Sequence, residues 1–587
     1  MKEPDVTHET TIQQLVDDMT LSEKIGQMTQ VNKGSITPAE VADHAIGSIL
    51  SGGGGNPPTN DPASWADMVE SYLEPARNTR LGIPLLYGVD AVHGHSNVRG
   101  ATIFPHNIGL GAAGDPELVG RIGQATAREV AATGVRWTFA PTVAVPQDIR
   151  WGRTYEGFSR NPRTVAQLGA ALVEGLQEPG PGASPILACL KHFVGDGGTQ
   201  WGSVTRPDWV EWWTDWGGEW QIDQGDFRGS EDDLRSQHLP PYAAGVAAGA
   251  HTVMASYSSW NGEKLHGHRQ LLTDVLKGEL GFDGFVVTDW MGLDQIDPSY
   301  AASVVAAINA GIDMVMVPFD FKRFIGVTTQ AVIDGRISQR RIDDAVRRIL
   351  TAKAALGEGD ERPPLSVVGA AEHRELAAEA ARRSAVLLSN DRTLPLQPEA
   401  GPIYLAGEAA DDIGLQCGGW TVEWQGAAGP ITTGTTFREA FEAEMPGVRY
   451  SAEGLFPDDE AGGLGVVCIA EDPYAEGLGD RAAPDVREQD RAAFERMRER
   501  CDRLVVVIFS GRPVLIEGIL SRADAVIAAW LPGTEATELP GLLLGHYPFE
   551  GRLPQPWPRS LADLDDPTAT PKYSLGHGLT AGASRGS

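Results

Sequence analysis

Asp289 stands directly behind the apolar run of GFVVTDW (284–290). Phe285, Val286 and Val287 call for burial, Thr288 follows, and the next residue is a carboxylate at the rim of their core. An ionisable group placed there is costly unless it has a partner or a task. Other apolar runs deliver polar groups in the same way. PLLYGVDA (84–91) delivers Asp90, with His93 and His95 just beyond. VRWTFAPTV (135–143) leads to RWGRTYE, with Arg150, Arg153 and Glu156. ILACLKHF (186–193) delivers Lys191 and His192 side by side, and HTVMASYSSWNG (251–262) delivers Tyr257 and Asn261. Such groups form charge-assisted hydrogen bonds with the vicinal hydroxyls of a sugar. Indole faces stack on the CH-rich faces of pyranose rings. Each residue also has a structural use. Asp90 suits a helix cap, Arg153 suits an ion pair with Glu156, and His93 and His95 suit loop positions with local partners. Lys191 and His192 fit a structural ion pair as well as a site.

The stretch EDPYAEGLGD (471–480) holds four carboxylates in ten positions. Pro473, Gly477 and Gly479 break regular structure, so by itself it reads as a solvated acidic loop. The 15 tryptophans include Trp209, Trp212, Trp213 and Trp216 of DWVEWWTDWGGEW (208–220). Their helical spacing points to the packed face of an inserted helix more than to a sugar platform.

Other chemistries lack their signatures. SGGGGNPP (51–58) and GDGG (195–198) are turns without dinucleotide or P-loop spacing, and neither HExxH nor GxSxG occurs. Cys189, Cys417, Cys468 and Cys501 form no close pair, which argues against zinc and against a disulfide framework and for buried thiols. No metal and no cofactor is expected. A formal charge of −31, from 79 acids against 48 bases, disfavours nucleic acid and anionic membranes as partners. No apolar run approaches the roughly 20 residues that span a bilayer. The start, MKEPDVTHETTIQQL, has no signal-peptide pattern. The expected location is cytoplasmic as written, or periplasmic or secreted if a signal has been removed.

The elements that position these residues follow from hydrophobic pattern. Seven strand-like runs, at 45–50, 84–91, 135–143, 186–195, 251–258, 284–290 and 313–318, alternate with helix-like segments. Helices are expected over 115–134, 161–177 and 338–357, the last capped by Ser338. Near-continuous apolar strands between helices imply a parallel sheet covered on both faces, here an α/β fold with a (β/α) barrel-like N-terminal domain over 1–356. Barrels of this kind hold their chemistry at the C-terminal strand ends. A Pro/Gly-rich linker is expected at 357–371. A second domain, an α/β sandwich with an open doubly wound sheet, is expected over 372–579, opening with a helix over 372–389 and followed by a tail, 580–587.

Taken together, several motifs resemble family-three glycoside hydrolases, nearest to exo-acting β-glucosidases and exo-1,3/1,4-β-glucanases. They are LLYGVDAVHGHSNVRGATIFPHNIGLGA (85–112), FAPTVAVPQDIRWGRTYEGFS (139–159), LKHFVGDGG (190–198), GFVVTDWMG (284–292), QCGGWTVEWQG (416–426) and FSGRPV (509–514). The resemblance runs through both domains. It implies Asp289 as nucleophile and Glu476 as acid/base. It implies that Asp90, Arg153, Lys191, His192 and Tyr257 hold the hydroxyls of the nonreducing-end sugar, that Met254 and Phe139 line its pocket, and that Trp290 and Trp424 clamp the next sugar. Two departures concern the aglycone side: Gln295 stands where close relatives often carry Arg, and residues 200–238 form a Trp-rich enlargement.

Two inversions at the anomeric carbon then give net retention, which calls for carboxyl groups roughly 5–5.5 Å apart. Lys191 and Arg153 are expected to help keep Asp289 charged. Glu476 is preferred to Glu471 because it lies out on the Pro/Gly loop, whereas Glu471 ends an apolar run. The implied activity is release of glucose from the nonreducing ends of β-glucans, cello- or laminari-oligosaccharides or β-glucosides, by a monomer or homodimer. A β-xylosidase of the same family is the alternative. A Schiff-base lyase using Lys191 and a non-catalytic glycan-binding protein are rivals from other classes. KHFVGDGGTQWGS lacks the histidine that marks the family's β-N-acetylglucosaminidases.

Overall fold

Eight short parallel strands make the frame of the first half of the chain. They are β1 (Thr29–Asn32), β2 (Ser48–Ser51), β3 (Leu86–Val89), β4 (Trp137–Thr138), β5 (Cys189–Phe193), β6 (Thr252–Ala255), β7 (Phe285–Val287) and β8 (Val315–Met316). The computed structural model describes residues 6–178, 180, 184–210, 218–357, 362–397, 402–456, 461–566 and 568–580. Strands β8, β1, β2, β3 and β4 pair in that order, as do β7, β6 and β5. Parallel bridges Trp137↔Leu187 and Val287↔Met314 join the two groups, so the sheet closes on itself as a (β/α) barrel. Seven strands were legible as apolar runs. The eighth, β1, reads TQVN. Thr29 and Gln30 are buried, and their side-chain donors are placed: Thr29 Oγ1 donates to the Ile25 carbonyl at 2.8 Å and Gln30 Nε2 to Ser48 Oγ at 2.8 Å.

Helices follow the strands where the caps predict them. Pro116–Ala132 starts after Asp115, whose Oδ1 accepts the Glu117 N–H at 2.8 Å, and Pro162–Gln177 follows Asn161. Gln339–Ala355 starts at Ser338, whose side chain accepts the Arg341 N–H.

The second sheet has six strands: β9 (Val386–Asn390), β10 (Ile403–Ala406), β11 (Arg449–Ser451), β12 (Leu464–Ala470), β13 (Arg503–Phe509) and β14 (Ala525–Trp530). Their order is β9-β14-β13-β12-β10-β11, parallel except for β9 against β14. The expected helix over 372–389 is shorter. It runs Ala371–Ser384, and Ala385 turns the chain at φ −66°, ψ 130° into β9, whose Val-Leu-Leu side chains are buried in the sheet. Because β11 and β12 lie on opposite sides of β10, the strand order reverses there. In open α/β sheets, ligands bind outside the strand ends at such a reversal.

The chain divides into two units: Met1–Val92 with Gly123–Ala144 and Gly169–Val368, and His93–Ile122 with Val145–Leu168 and Gly369–Ser587. This differs from the contiguous halves drawn at 1–356 and 372–579. Segments 93–122 and 145–168 follow barrel strands in sequence but pack on second-unit elements. Gly109 lies against Ser384, and Ser159 Oγ donates to the Pro554 carbonyl at 3.0 Å. Of the linker, residues 357 and 362–371 are described, with a short turn at Leu365–Val367. Trp212, Trp213 and Trp216 of the Trp-rich stripe, and 581–587 of the tail, lie outside the described residues. The four cysteines are buried free thiols.

Candidate active site

In the first unit the C-terminal strand ends carry most of the residues singled out above. Asp90 follows β3, and Lys191 Nζ donates to its Oδ1 at 2.9 Å. Lys191 and His192 are adjacent in β5, and adjacent residues of a regular strand point to opposite faces. The register of β5 against β6 slips between Leu190 and Phe193, the irregularity that re-aims side chains. His192 Nδ1 lies 2.9 Å from Asp196 Oδ2, and its Nε2 lies 3.7 Å from Asp289 Oδ2. Asp196, in the GDGG turn, thus orients His192, a role that the turn composition does not advertise.

Asp289 follows β7 by two residues and is pinned through its backbone and its side chain. Its N–H donates to His266 Nε2 at 3.0 Å, and its Oδ1 accepts the Trp290 N–H at 2.7 Å. Burial pushes His266 down to about 3, so the ring is neutral. Since Nε2 accepts, the proton sits on Nδ1. The Tyr257 hydroxyl donates to the Trp290 carbonyl. Lys264 Nζ donates to the Tyr257 carbonyl at 2.8 Å and to Gln295 Oε1 at 2.9 Å. Gln295, one of the two departures, is therefore tied to a neighbouring cation. Met254 is buried in β6. Phe139 packs edge-on against Trp137 at 4.9 Å and lies so close to Gly88 that a Cβ there would meet the ring at 2.6 Å. Trp290 is half-buried. Asn261 is elsewhere: its side chain donates to the Gly229 carbonyl at 3.0 Å, in a turn.

The second unit carries Arg153, Glu476 and Trp424. Arg153 bridges two carboxylates, with Nη1 to Glu476 Oε1 at 3.1 Å and Nη2 to Glu156 Oε2 at 2.9 Å. Trp420 Nε1 donates to the other Glu156 oxygen at 3.0 Å. The pairing of Arg153 with Glu156 was one of the structural uses open to it. These bonds commit two of its nitrogens to carboxylates of its own unit. With both glutamates ionised the cluster carries −1, and with one protonated it is neutral.

The four carboxylates of EDPYAEGLGD separate cleanly. Glu471 is buried and accepts from Arg512 Nε at 2.9 Å, the Tyr474 hydroxyl at 3.0 Å and the Gly511 N–H at 3.1 Å. Asp480 is buried and accepts the Gly152 N–H at 2.9 Å, while Asp472 is exposed. Glu476 opens a short turn, Glu476–Gly479, with its side chain 12% exposed. Its φ of +55° is one of three positive values at non-glycine residues in these loops, with Trp420 at +59° and Val422 at +62°. Strained backbone of this kind persists where surrounding structure fixes it. Gln425 supplies part of that fixing, exchanging bonds with the N–H (2.9 Å) and carbonyl (3.3 Å) of Ala475. Gln425 follows β10 and Ala475 follows β12, so the two loops meet at the strand-order reversal. Trp424, half-buried in the first of these loops, accepts the Trp420 N–H through its carbonyl at 2.9 Å.

Several sequence candidates are structural. His93 and His106 stack at 3.7 Å, and burial pushes His93 down to about 4 and His95 to about 3. Arg150 is paired with Asp148 and Asp565 at 2.7 and 2.8 Å.

Residues 20–352 match the glycosyl hydrolase family 3 N-terminal domain, and residues 385–581 match the family's C-terminal domain. A solved mutant of an exo-1,3/1,4-β-glucanase from a Pseudoalteromonas species is similar with a TM-score of 0.89 and 37% identity, over 98% of this chain and 96% of that one. A lysosomal β-glucosidase of Dictyostelium discoideum is 30% identical, over 97% of this chain and 76% of its own length. A β-xylosidase of Formosa agariphila is 27% identical, over 85% of this chain and 72% of its own length.

Proposed function

This chain belongs to glycosyl hydrolase family 3, and on that footing we propose a retaining exo-β-glucosidase that releases glucose from the nonreducing ends of β-glucans, their oligosaccharides or β-glucosides. The observation that carries the reading is the seating of Asp289, held through its own N–H and Oδ1 after β7, with the Asp90–Lys191 pair and His192 carried by β3 and β5 of the same barrel.

The steps balance with two carboxyl groups. An Asp289 oxygen attacks the anomeric carbon as the bond to the leaving oxygen breaks, and Glu476 gives that oxygen its proton. Glu476, now a carboxylate, takes a proton from water, whose oxygen attacks the same carbon and frees Asp289. Glu476 must be comfortable both with and without its proton. Asp90, Lys191, His192, Arg153 and Tyr257 are proposed to hold sugar hydroxyls. Met254 and Phe139 are proposed as apolar walls, and Trp290 and Trp424 as stacking faces for the next ring. A β-xylosidase is the second reading, favoured by the likeness to the Formosa enzyme.

Hydrolysis of p-nitrophenyl β-glucoside and β-xyloside decides between the two sugars. Asp289→Asn is expected to lower kcat by at least ~10³-fold with the fold intact. Glu476→Ala is expected to lose activity on poor leaving groups and to regain it with azide on a good one, giving a β-azide product. Azide rescue of Glu471→Ala instead would overturn the assignment. The Arg512 pairing of Glu471 predicts a destabilised fold for that variant.

A further inference from the structure

The first unit holds a cleft of about 90 Å³ between the segment after β7 and the segment after β8. Met291, Leu293, Val317, Pro318 and Phe319 give it apolar walls, and Asp294, Tyr300 and Arg323 give it polar ends. It begins where the nucleophile's neighbour leaves off: the Phe319 ring stands edge-on to Trp290 at 5.5 Å between centroids. Phe319 is 54% exposed, an apolar ring open to solvent beside the proposed site. The Arg323 guanidinium lies 4.2 Å over the Tyr300 ring, an arrangement that leaves its in-plane N–H groups available, and no protein acceptor among the described residues takes them. Burial pushes the Asp294 carboxyl up to about 6, and no side chain among the described residues donates to it. A second exposed aromatic attends the same segment: Trp209, 45% exposed, donates from Nε1 to the Asp294 carbonyl at 2.9 Å.

We infer that this cleft seats a further pyranose ring of the glycan, beyond the ring assigned to Trp290. The inference rests on the glycosidase reading above. An aromatic face, a carboxyl, a phenol and a guanidinium around one depression match the apolar face and hydroxyl edge of a sugar. The volume is far below the roughly 300–1,000 Å³ that encloses a drug-sized ligand. The ring therefore lies half-seated, with one face in water, as suits an oligosaccharide that continues outward. Trp290 and Phe319 set two apolar rings next to each other, so substrates of three or more sugars gain contacts that a simple aryl glucoside lacks.

The test compares kcat/KM for laminaritriose and cellotriose with kcat/KM for p-nitrophenyl β-glucoside, in the full-length protein and in Phe319→Ala and Arg323→Met. The expected result is a fall of about 10-fold in the trisaccharide-to-aryl ratio for Phe319→Ala, carried by KM, and a smaller fall for Arg323→Met. A general structural lesion lowers both rates and leaves the ratio unmoved, and an unmoved ratio overturns the inference. If the unaltered protein hydrolyses no β-glycoside, the glycosidase reading fails by itself. Calorimetric titration with laminaritriose then decides the cleft: weaker binding by Phe319→Ala supports it, while equal affinity or absent binding overturns it.

Discussion

Single residues differ in how openly the sequence declares them. Asp289 and Asp90 stand out because a carboxylate after an apolar run has few cheap reasons to be there. His266 does not stand out. It is one of two histidines in KLHGH, and nothing local says that its Nε2 receives the Asp289 N–H. The contact is tight, since a Cβ on Gly292 would meet His266 Nε2 at 2.4 Å. His266 is a positioning residue for the proposed nucleophile, Asp289. His266→Phe is expected to lower kcat on an aryl β-glucoside about 10- to 100-fold with KM nearly unchanged, because small misplacements of a reacting group are costly. His266→Gln, which keeps an acceptor, is expected to recover much of the loss. Equal kcat in all three proteins would show that the contact does not matter to the reaction. Arg153 shows the opposite limit: its sequence context fits a sugar ligand as well as an ion pair with Glu156, and the bond to Glu476 comes only from the fold.

At the scale of elements, the turn Glu476–Gly479 and the RWGR segment are built against each other. A Cβ on Gly152 would meet the Glu476 carbonyl oxygen at 1.9 Å and Gly479 backbone at 2.8 Å, so only glycine fits between them. Gly152→Ala is expected to displace that turn, lowering kcat on an aryl β-glucoside more than 10-fold and costing about 1–3 kcal/mol of stability. Turnover and denaturant unfolding check the two effects, and unchanged kcat would mean that the proposed acid, Glu476, does not depend on this packing. Most elements were legible, because long helices carry caps and buried parallel strands carry unbroken apolar runs. The failures have causes. Strand β1 is polar in composition and offsets the cost of its burial with side-chain hydrogen bonds. The strand β9 continues the helix Ala371–Ser384 without a glycine or proline to mark the change, so only sheet pairing separates them.

At the scale of the whole molecule, the charge of −31 acts on stability and association more than on fold. Exposed pairs such as Arg522–Glu495 at 2.6 Å offset little of the self-repulsion, since surface pairs contribute about 0–1 kcal/mol each. Raising NaCl from about 10 to about 300 mM shortens the screening length several-fold. Tm is therefore expected to rise by a few degrees, as followed by circular dichroism. A falling Tm would mean that the ion pairs outweigh the repulsion.

By itself the sequence determined the α/β class, the alternation that builds a barrel, the second parallel sheet, and the carboxylates that end buried strands. Those properties are local: periodicity, caps and the cost of burying charge act within a few residues. Tertiary structure alone decided the closure of eight strands, the assignment of segments 93–122 and 145–168 to the second unit, and the partners of each charged group. It also separated Glu476 from Glu471 and Asp480, which bind neighbours brought from about 40 and 330 residues away along the chain. Such contacts join distant parts of the chain, and no local pattern of residue types encodes which distant group will complete a hydrogen bond.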